Sequence, residues 1–394
     1  VIDRNAAAKL VDLARTFPAV TVTGPRQSGK TTLCRALFPD KPYVSLEAPD
    51  RREMARSDPR GFLHGVAGGA ILDEVQRVPE ILSYLQELID ENPAPGRFIL
   101  TGSANLSLLA GISQSLAGRT ALLTLLPLAH DEVARFGDAP NDVEEALWRG
   151  SYPAVYDRSV DPNDWYAAYI ASYVERDVRQ LLNVTDLGMF QTFLRLCAGR
   201  CGQLLNLSAL AADIGITHNT ARAWISVLEA SYVAFRLPSL HANITSRLVK
   251  TPKLHFFDSG LVCSLLGITE PEQLRTHPLR GSIFETWAVA EIYKQRAHAG
   301  KAPSLSFYRE AKGIEVDAVV EGPRRLCAVE IKAARTVAAD FFRGLDAFRQ
   351  KMASDPLART VDSFVVYAGI EGYRHRDTTV LPWNELARTN WPQR

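Results

Sequence analysis

The most constraining feature of this sequence lies near its start. Ala19–Thr23 (AVTVT) is a β-branched run, and it leads into Gly24, Pro25, Arg26, Gln27, Ser28, Gly29, Lys30 and Thr31. These eight residues fit G-x-x-x-x-G-K-[ST] without a mismatch, and a Leu- and Ala-containing helix is predicted behind them over Thr32–Phe38. Strand, glycine loop and helix in that order build an anion trap, because loop amides and the positive end of the helix dipole point at one place. Gly24 to Thr32 are therefore expected to cradle the phosphates of ATP. Lys30 is expected to reach the β- and γ-phosphates and Thr31 to hold Mg²⁺.

A second apolar run, Ala70–Leu72, ends in Asp73 and Glu74. Behind a phosphate loop, Asp73 is expected to order Mg²⁺ and Glu74 to polarise the attacking water. Alone, the same pair would read as an N-cap before a helix at Ile81–Ile89. A third strand, Arg97–Leu100, runs into Thr101-Gly-Ser103-Ala-Asn105. Ser103 and Asn105 are candidates for sensing the γ-phosphate, with a capped turn as the alternative. Arg119 follows a glycine turn, and it reads either as an arginine finger for a neighbouring subunit's nucleotide or as a surface arginine.

Composition narrows the class. The chain has 394 residues, 46% apolar and 23% charged, which excludes collagen-like, coiled-coil and wholly disordered chains. No apolar run approaches the ~20 residues needed to cross a bilayer, so no membrane partner is expected. The N-terminal residues lack a signal-peptide core. Five scattered cysteines argue against a disulfide framework and for a cytoplasmic protein. Cys197 and Cys201, one helical turn apart, read as buried thiols. A net charge of +1 leaves any basic surface to be local.

In the middle, Asp164–Leu182 reads as a helix of a lid. Its Arg176 and Arg179 share a face and either touch phosphate or pair with Glu175 and Asp177. Ser208, as N-cap, is expected to start a short helix; Gly215-Ile-Thr turns the chain, and His218 opens a second helix. Val233–Leu237 and Lys253–Phe257 are predicted strands of a wing. This is a winged helix-turn-helix pattern. It puts His218, Asn219, Thr220 and Arg222 where such domains meet DNA. From Arg236 to Lys253 there are four basic residues (Arg236, Arg247, Lys250, Lys253) and no acid. Arg247, Lys250 and Lys253 are thus candidate phosphate contacts, although winged helices also serve as protein adaptors.

The last third is predicted as a helix (Ile283–Gln295), strands at Leu305–Arg309, Ile314–Val320 and Leu326–Ile331, a helix (Ala339–Met352) and a strand (Ser363–Tyr367). Asp317 and Glu330 on adjacent strands can converge on one Mg²⁺, with Lys332 on the Glu330 face offsetting charge on a scissile phosphate. A salt bridge between Glu330 and Lys332, or a retained fold without cleavage, is the alternative.

The stretches Gly24–Thr32, GGAILDEVQRVPEIL (68–82), TGSANLSLL (101–109) and SLAGRTALLTLLPL (115–128), with Gly150-Ser-Tyr-Pro153 and Tyr173-Val-Glu-Arg-Asp177, resemble a prokaryotic family of AAA-type ATPases. Its members carry a C-terminal DUF4143 region. Glu285, Asp317 and Glu330-Ile-Lys332 resemble the PD-(D/E)XK nuclease pattern, with Val316 in place of the proline. The resemblance implies an α/β fold in three parts: an ATPase domain (1–160), a helical and winged-helix middle (161–275), and a restriction-endonuclease-like end (276–394). It also implies metal ligation by Glu285. The expected function is an ATP-hydrolysing motor acting on DNA, assembled as a homo-oligomer, a hexameric ring among the options. An ATP-gated nuclease and a nucleotide-operated switch that binds protein are the alternatives.

Overall fold

Consecutive residues are buried along the central strands of the N-terminal part, and this is the pattern of a sheet covered on both faces. In the computed structural model, which describes residues 2–103, 115–174, 187–240, 249–310, 313–353 and 359–391, they form a parallel sheet. Its strands are β1 (Ala19–Gly24), β2 (Tyr43–Ser45), β3 (Ala70–Asp73), β4 (Phe98–Ser103) and β5 (Thr120–Thr124), in the order β2-β3-β4-β1-β5. Alternation sorts their side chains. Ala70, Leu72, Phe98 and Leu100 pack with Leu82, Leu85 and Ile89 on one face. Ile71, Ile99, Val20 and Val22 pack on the other with Leu10 of α1 (Ala7–Thr16) and Leu33 of α2 (Lys30–Leu37). This fold is the α/β, parallel-sheet arrangement of a phosphate-loop ATPase domain. Register sets Gly24 beside Ser103 and Val22 beside Thr101, so the ends of β1 and β4 are level.

The chain divides into two units. The first comprises Val1–Leu128 with Ala230–Tyr232 and Ala297–Gly300, and the second comprises Ala129–Glu229, Val233–Arg296 and Lys301–Arg394. The boundaries expected near 160 and 275 do not coincide with this division. Residues 129–160, expected at the end of the ATPase domain, share one unit with the expected middle and C-terminal domains, and buried polar contacts tie them there. Ser151 donates from both its N–H and its hydroxyl to Asp258 Oδ2, each at 2.7 Å. Lys294 donates to Ser151 Oγ (2.9 Å) and to Glu291 (2.8 Å). Glu144, 1% exposed, receives Arg280 and Arg335.

Within the second unit, β6 (Gln203–Leu204), β7 (Ala234–Leu237) and β8 (Lys253–Phe256) form an antiparallel sheet in the order β6-β8-β7. The helix Leu207–Ile214 starts from Asn206, whose side chain accepts the Ala209 N–H at 3.0 Å, and not from Ser208 as expected. The helix His218–Ala230 buries Ala221, Trp224, Ile225 and Leu228, and Trp224 meets Phe190 and Phe193 edge-on. A six-stranded mixed sheet follows: β9 (Leu305–Arg309), β10 (Glu315–Glu321), β11 (Arg325–Lys332), β12 (Thr360–Tyr367), β13 (Tyr373–His375) and β14 (Thr378–Pro382). Its order is β13-β14-β12-β11-β10-β9, parallel only at β11-β12 and β12-β14. The helix Arg343–Met352 covers it through Leu345 and Phe348. The helix Pro162–Tyr169 is followed by a wider turn over Ile170–Val174; Glu175, Arg176, Asp177 and Arg179 lie outside the described residues. All five cysteines are buried and unpaired. Among the described residues no helix is long and apolar enough to cross a membrane.

Candidate functional site

Three sequence features separated by up to 80 residues meet at the C-terminal ends of β1, β3 and β4, where open parallel sheets bind ligands. Gly24 ends β1 at φ +145°, and a Cβ there would lie 2.1 Å from the Leu125 carbonyl oxygen, so only glycine lets the loop leave the strand. Gly29, at φ +92°, turns the chain into α2. Arg4 braces the loop from outside the motif, donating to the Ser28 carbonyl (2.7 Å) and to the Leu126 carbonyl (2.9 Å). Pro25 and Ser28 are buried, Arg26 is half-buried, and Gln27 and Thr32 are exposed.

Lys30 is only 5% exposed, and its ammonium donates to the carbonyls of Gly24 (3.1 Å) and Pro25 (2.7 Å). Burial pulls its pKa down to about 8, against the opposing charges of Glu74 and Asp73. Asp73 is the hub of the site. Its Oδ1 accepts from Thr31 (2.9 Å) and from Thr101, and its Oδ2 accepts from Tyr43 (2.7 Å). Burial and that hydrogen bond raise the Tyr43 hydroxyl to about 12. Glu74 sits in the left-handed region at φ 59°, a strained conformation of the kind that clusters at functional sites. Gln76 donates from one amide nitrogen to Glu74 Oε2 and to Ser103 Oγ (2.9 Å).

The sequence reading thus missed Arg4, Tyr43, Gln76 and Thr101. Thr101 and Gln76 lie inside the motifs that were noticed, but their partners are set by the sheet. Asn105 lies outside the described residues. Arg119 forks onto Asp90 of its own unit, Nε at 2.5 Å and Nη2 at 2.8 Å. The residues fit a magnesium nucleotide. The hydroxyl of Ser28 is buried without a hydrogen-bond partner, and Thr31 with Asp73 offers the hard oxygen donors that Mg²⁺ prefers.

In the second unit, Glu285, Glu315, Asp317 and Glu330 gather at one end of β10 and β11. The Asp317 Oδ2 accepts the Ile331 N–H at 2.8 Å, and Lys332 lies 2.5 Å from Glu330. Burial, with the charge of Asp317 adding to it, pushes Glu285 and Glu330 above the usual carboxylate range, against the opposing pull of Lys253 and Lys332. Lys253, expected on a DNA-facing wing, is instead 3% exposed inside this group. Its ammonium lies 2.8 Å from Glu285, 2.8 Å from Glu315 and 3.8 Å from Asp317. Among the described residues no group of three or more His, Cys, Asp or Glu side chains is arranged to hold a metal ion. Of the other wing residues, Arg236 pairs with Glu229 at 2.7 Å, Lys250 is exposed, and Arg247 lies outside the described residues. His218, Asn219 and Arg222 are exposed and Thr220 half-buried at the start of their helix.

Comparison with known proteins defines the class first. Residues 16–134 match an AAA domain, 280–386 the domain of unknown function DUF4143, and 140–272 the domain of unknown function DUF8612. The sequence is 31% identical over 392 residues to the uncharacterized protein Rv2008c of Mycobacterium tuberculosis, covering 98% of this chain and 85% of that one. The uncharacterized protein Mb2031c of Mycobacterium bovis matches to the same extent. The chain therefore belongs to the family of Rv2008c and Mb2031c. Among solved structures, the Walker-type ATPase paby2304 of Pyrococcus abyssi is similar at 17% identity, covering 67% of this chain and 96% of that one with a TM-score of 0.47.

Proposed function

We propose that this protein is an AAA-type ATPase that hydrolyses ATP and acts on DNA. The observation that carries the reading is the meeting of Lys30, Thr31, Asp73, Glu74 and Ser103 at the ends of β1, β3 and β4. Loop amides from Gly24 to Thr32 bind the triphosphate, and the Lys30 ammonium leaves its carbonyl partners for the β- and γ-phosphates. Mg²⁺, when bound, supplies charge neutralisation at the phosphates; Thr31 and Asp73 are the side chains that would hold it. Glu74 accepts the proton of the attacking water, and Gln76 keeps its carboxylate connected to Ser103, which reports the γ-phosphate. Homo-oligomers, with Arg119 released from Asp90 to complete a neighbour's site, belong to the same proposal.

DNA is assigned to the second unit, read as a winged helix-turn-helix joined to a PD-(D/E)XK-like sheet. The exposed His218, Asn219, Arg222 and Lys250, with the half-buried Thr220, are its candidate contacts. The test is the ATP hydrolysis rate of wild-type protein and Lys30→Ala, alone and with duplex, single-stranded and forked DNA. Turnover that depends on Lys30 and rises with DNA supports the proposal; turnover unmoved by any DNA contradicts its second half.

One observation favours a second reading, a nucleotide-operated switch whose other unit binds protein. Of the basic residues from Arg236 to Lys253 among the described residues, Arg236 is paired and Lys253 is buried, which leaves Lys250 as the exposed one. In that reading the charge reversal Lys250→Glu leaves nucleic-acid binding unaltered.

A further inference from the structure

The PD-(D/E)XK pattern calls for a metal ion among Glu285, Asp317 and Glu330, yet each of these carboxylates already has a partner. Glu285 receives Lys253 at 2.8 Å, Asp317 accepts the Ile331 N–H at 2.8 Å on one oxygen and faces Lys253 at 3.8 Å on the other, and Glu330 holds Lys332 through Oε1, while its buried Oε2 has no hydrogen-bond partner. Lys253 also takes Glu315 at 2.8 Å, so one ammonium spans three acidic side chains. Held at 2.8 Å from two carboxylates, the ammonium occupies the place between them that a cation would take. The residues as arranged do not fit the metal.

The backbone of Lys253 is fixed as well. It lies on the central strand of the three-stranded sheet, opposite Leu204 of β6 and Leu237 of β7. The strand that carries it is paired on both edges, so the backbone is not free to carry the ammonium out of the pocket as a loop would. A charge 3% exposed would be costly without its carboxylates, and the carboxylates would repel one another without it.

We infer that Lys253 is the built-in cation of this acidic pocket, so that the second unit binds no divalent metal there and does not cleave phosphodiester bonds. The nuclease pattern is retained as a lysine-closed joint that fastens β8 to β10 and to the helix Arg280–His298. This goes beyond the ATPase reading, and its outcome is independent of ATP turnover.

The experiment is Mn²⁺ titration of the full chain without nucleotide, followed by electron paramagnetic resonance, on wild type, Asp317→Asn, Lys253→Met and the Lys253→Met/Asp317→Asn double variant. Wild type and Asp317→Asn are expected to give the same bound-Mn²⁺ signal. Lys253→Met, which removes the ammonium and keeps the length of the side chain, is expected to gain a bound ion that the double variant loses. A wild-type Mn²⁺ signal abolished by Asp317→Asn overturns the inference, as does a folded Lys253→Met that gains no ion. If Lys253→Met fails to fold, the wild-type comparison decides, together with a Mn²⁺-dependent DNA cleavage assay in which an Asp317-dependent cut refutes the claim.

Discussion

Lys30 shows how burial can make a proposed phosphate-binding residue sensitive to pH. Held at about 8 by desolvation, it is faced by Glu74, Asp73, Arg26 and Cys34. Burial raises the Cys34 thiol to about 12, so it stays neutral through the range that matters. A bound triphosphate favours the ammonium form, and binding above pH 8 therefore takes up a proton. ATP affinity is expected to be independent of the Lys30 titration below pH 8, where the ammonium is already formed, and to fall by up to about tenfold per pH unit above it. Calorimetry from pH 7 to about 10 checks this, and Lys30→Ala should bind weakly with no such inflection. Gly24 makes a steric prediction. An alanine Cβ 2.1 Å from the Leu125 oxygen forces the loop off β1, at a cost of roughly 1–3 kcal/mol. A lower Tm together with lost nucleotide binding is the expected result for Gly24→Ala.

Buried polar residues also decide how elements join. Asp258 accepts three hydrogen bonds, from the Ser151 N–H, the Ser151 hydroxyl and the Leu261 N–H, while 2% exposed. Asp258→Ala would leave those donors buried without partners, a loss of about 3 kcal/mol or more at ~1–3 kcal/mol for each orphaned group. Denaturant unfolding measures it, and a change below about 1 kcal/mol would contradict the joining role given to Ser151 and Asp258. Asn206→Ala removes one cap and should cost about 1 kcal/mol. Elements with strong local signals were legible in the sequence. The phosphate loop lies between β1 and α2, and β9 matches its expected span of Leu305–Arg309. Contacts made across the fold were not legible. Tyr43 reaches Asp73 from 30 positions away, and Lys253 reads as a surface charge until the strand β8 is seen to aim it into carboxylates. The cap at Asn206 was misread because Ser208 and Asn206 are both good caps, and only backbone geometry chooses between them.

At the scale of the molecule, the proposed chemistry lies in one unit and the proposed DNA contacts in the other. The first unit collects its polar groups at the ends of three parallel strands, and the second uses its most concentrated charge to hold itself together. The division predicts that substitutions at Lys253 act through stability and metal exclusion, whereas substitutions at Glu74 act through turnover. The most direct measurement is Mg²⁺-dependent ATP turnover of wild type against Glu74→Gln, with nucleotide binding followed on the same samples. Glu74→Gln should bind ATP as wild type does and lose turnover by about a hundredfold or more, in line with removal of a general base. Equal turnover in the two proteins, or wild type that binds no nucleotide, would contradict the central claim.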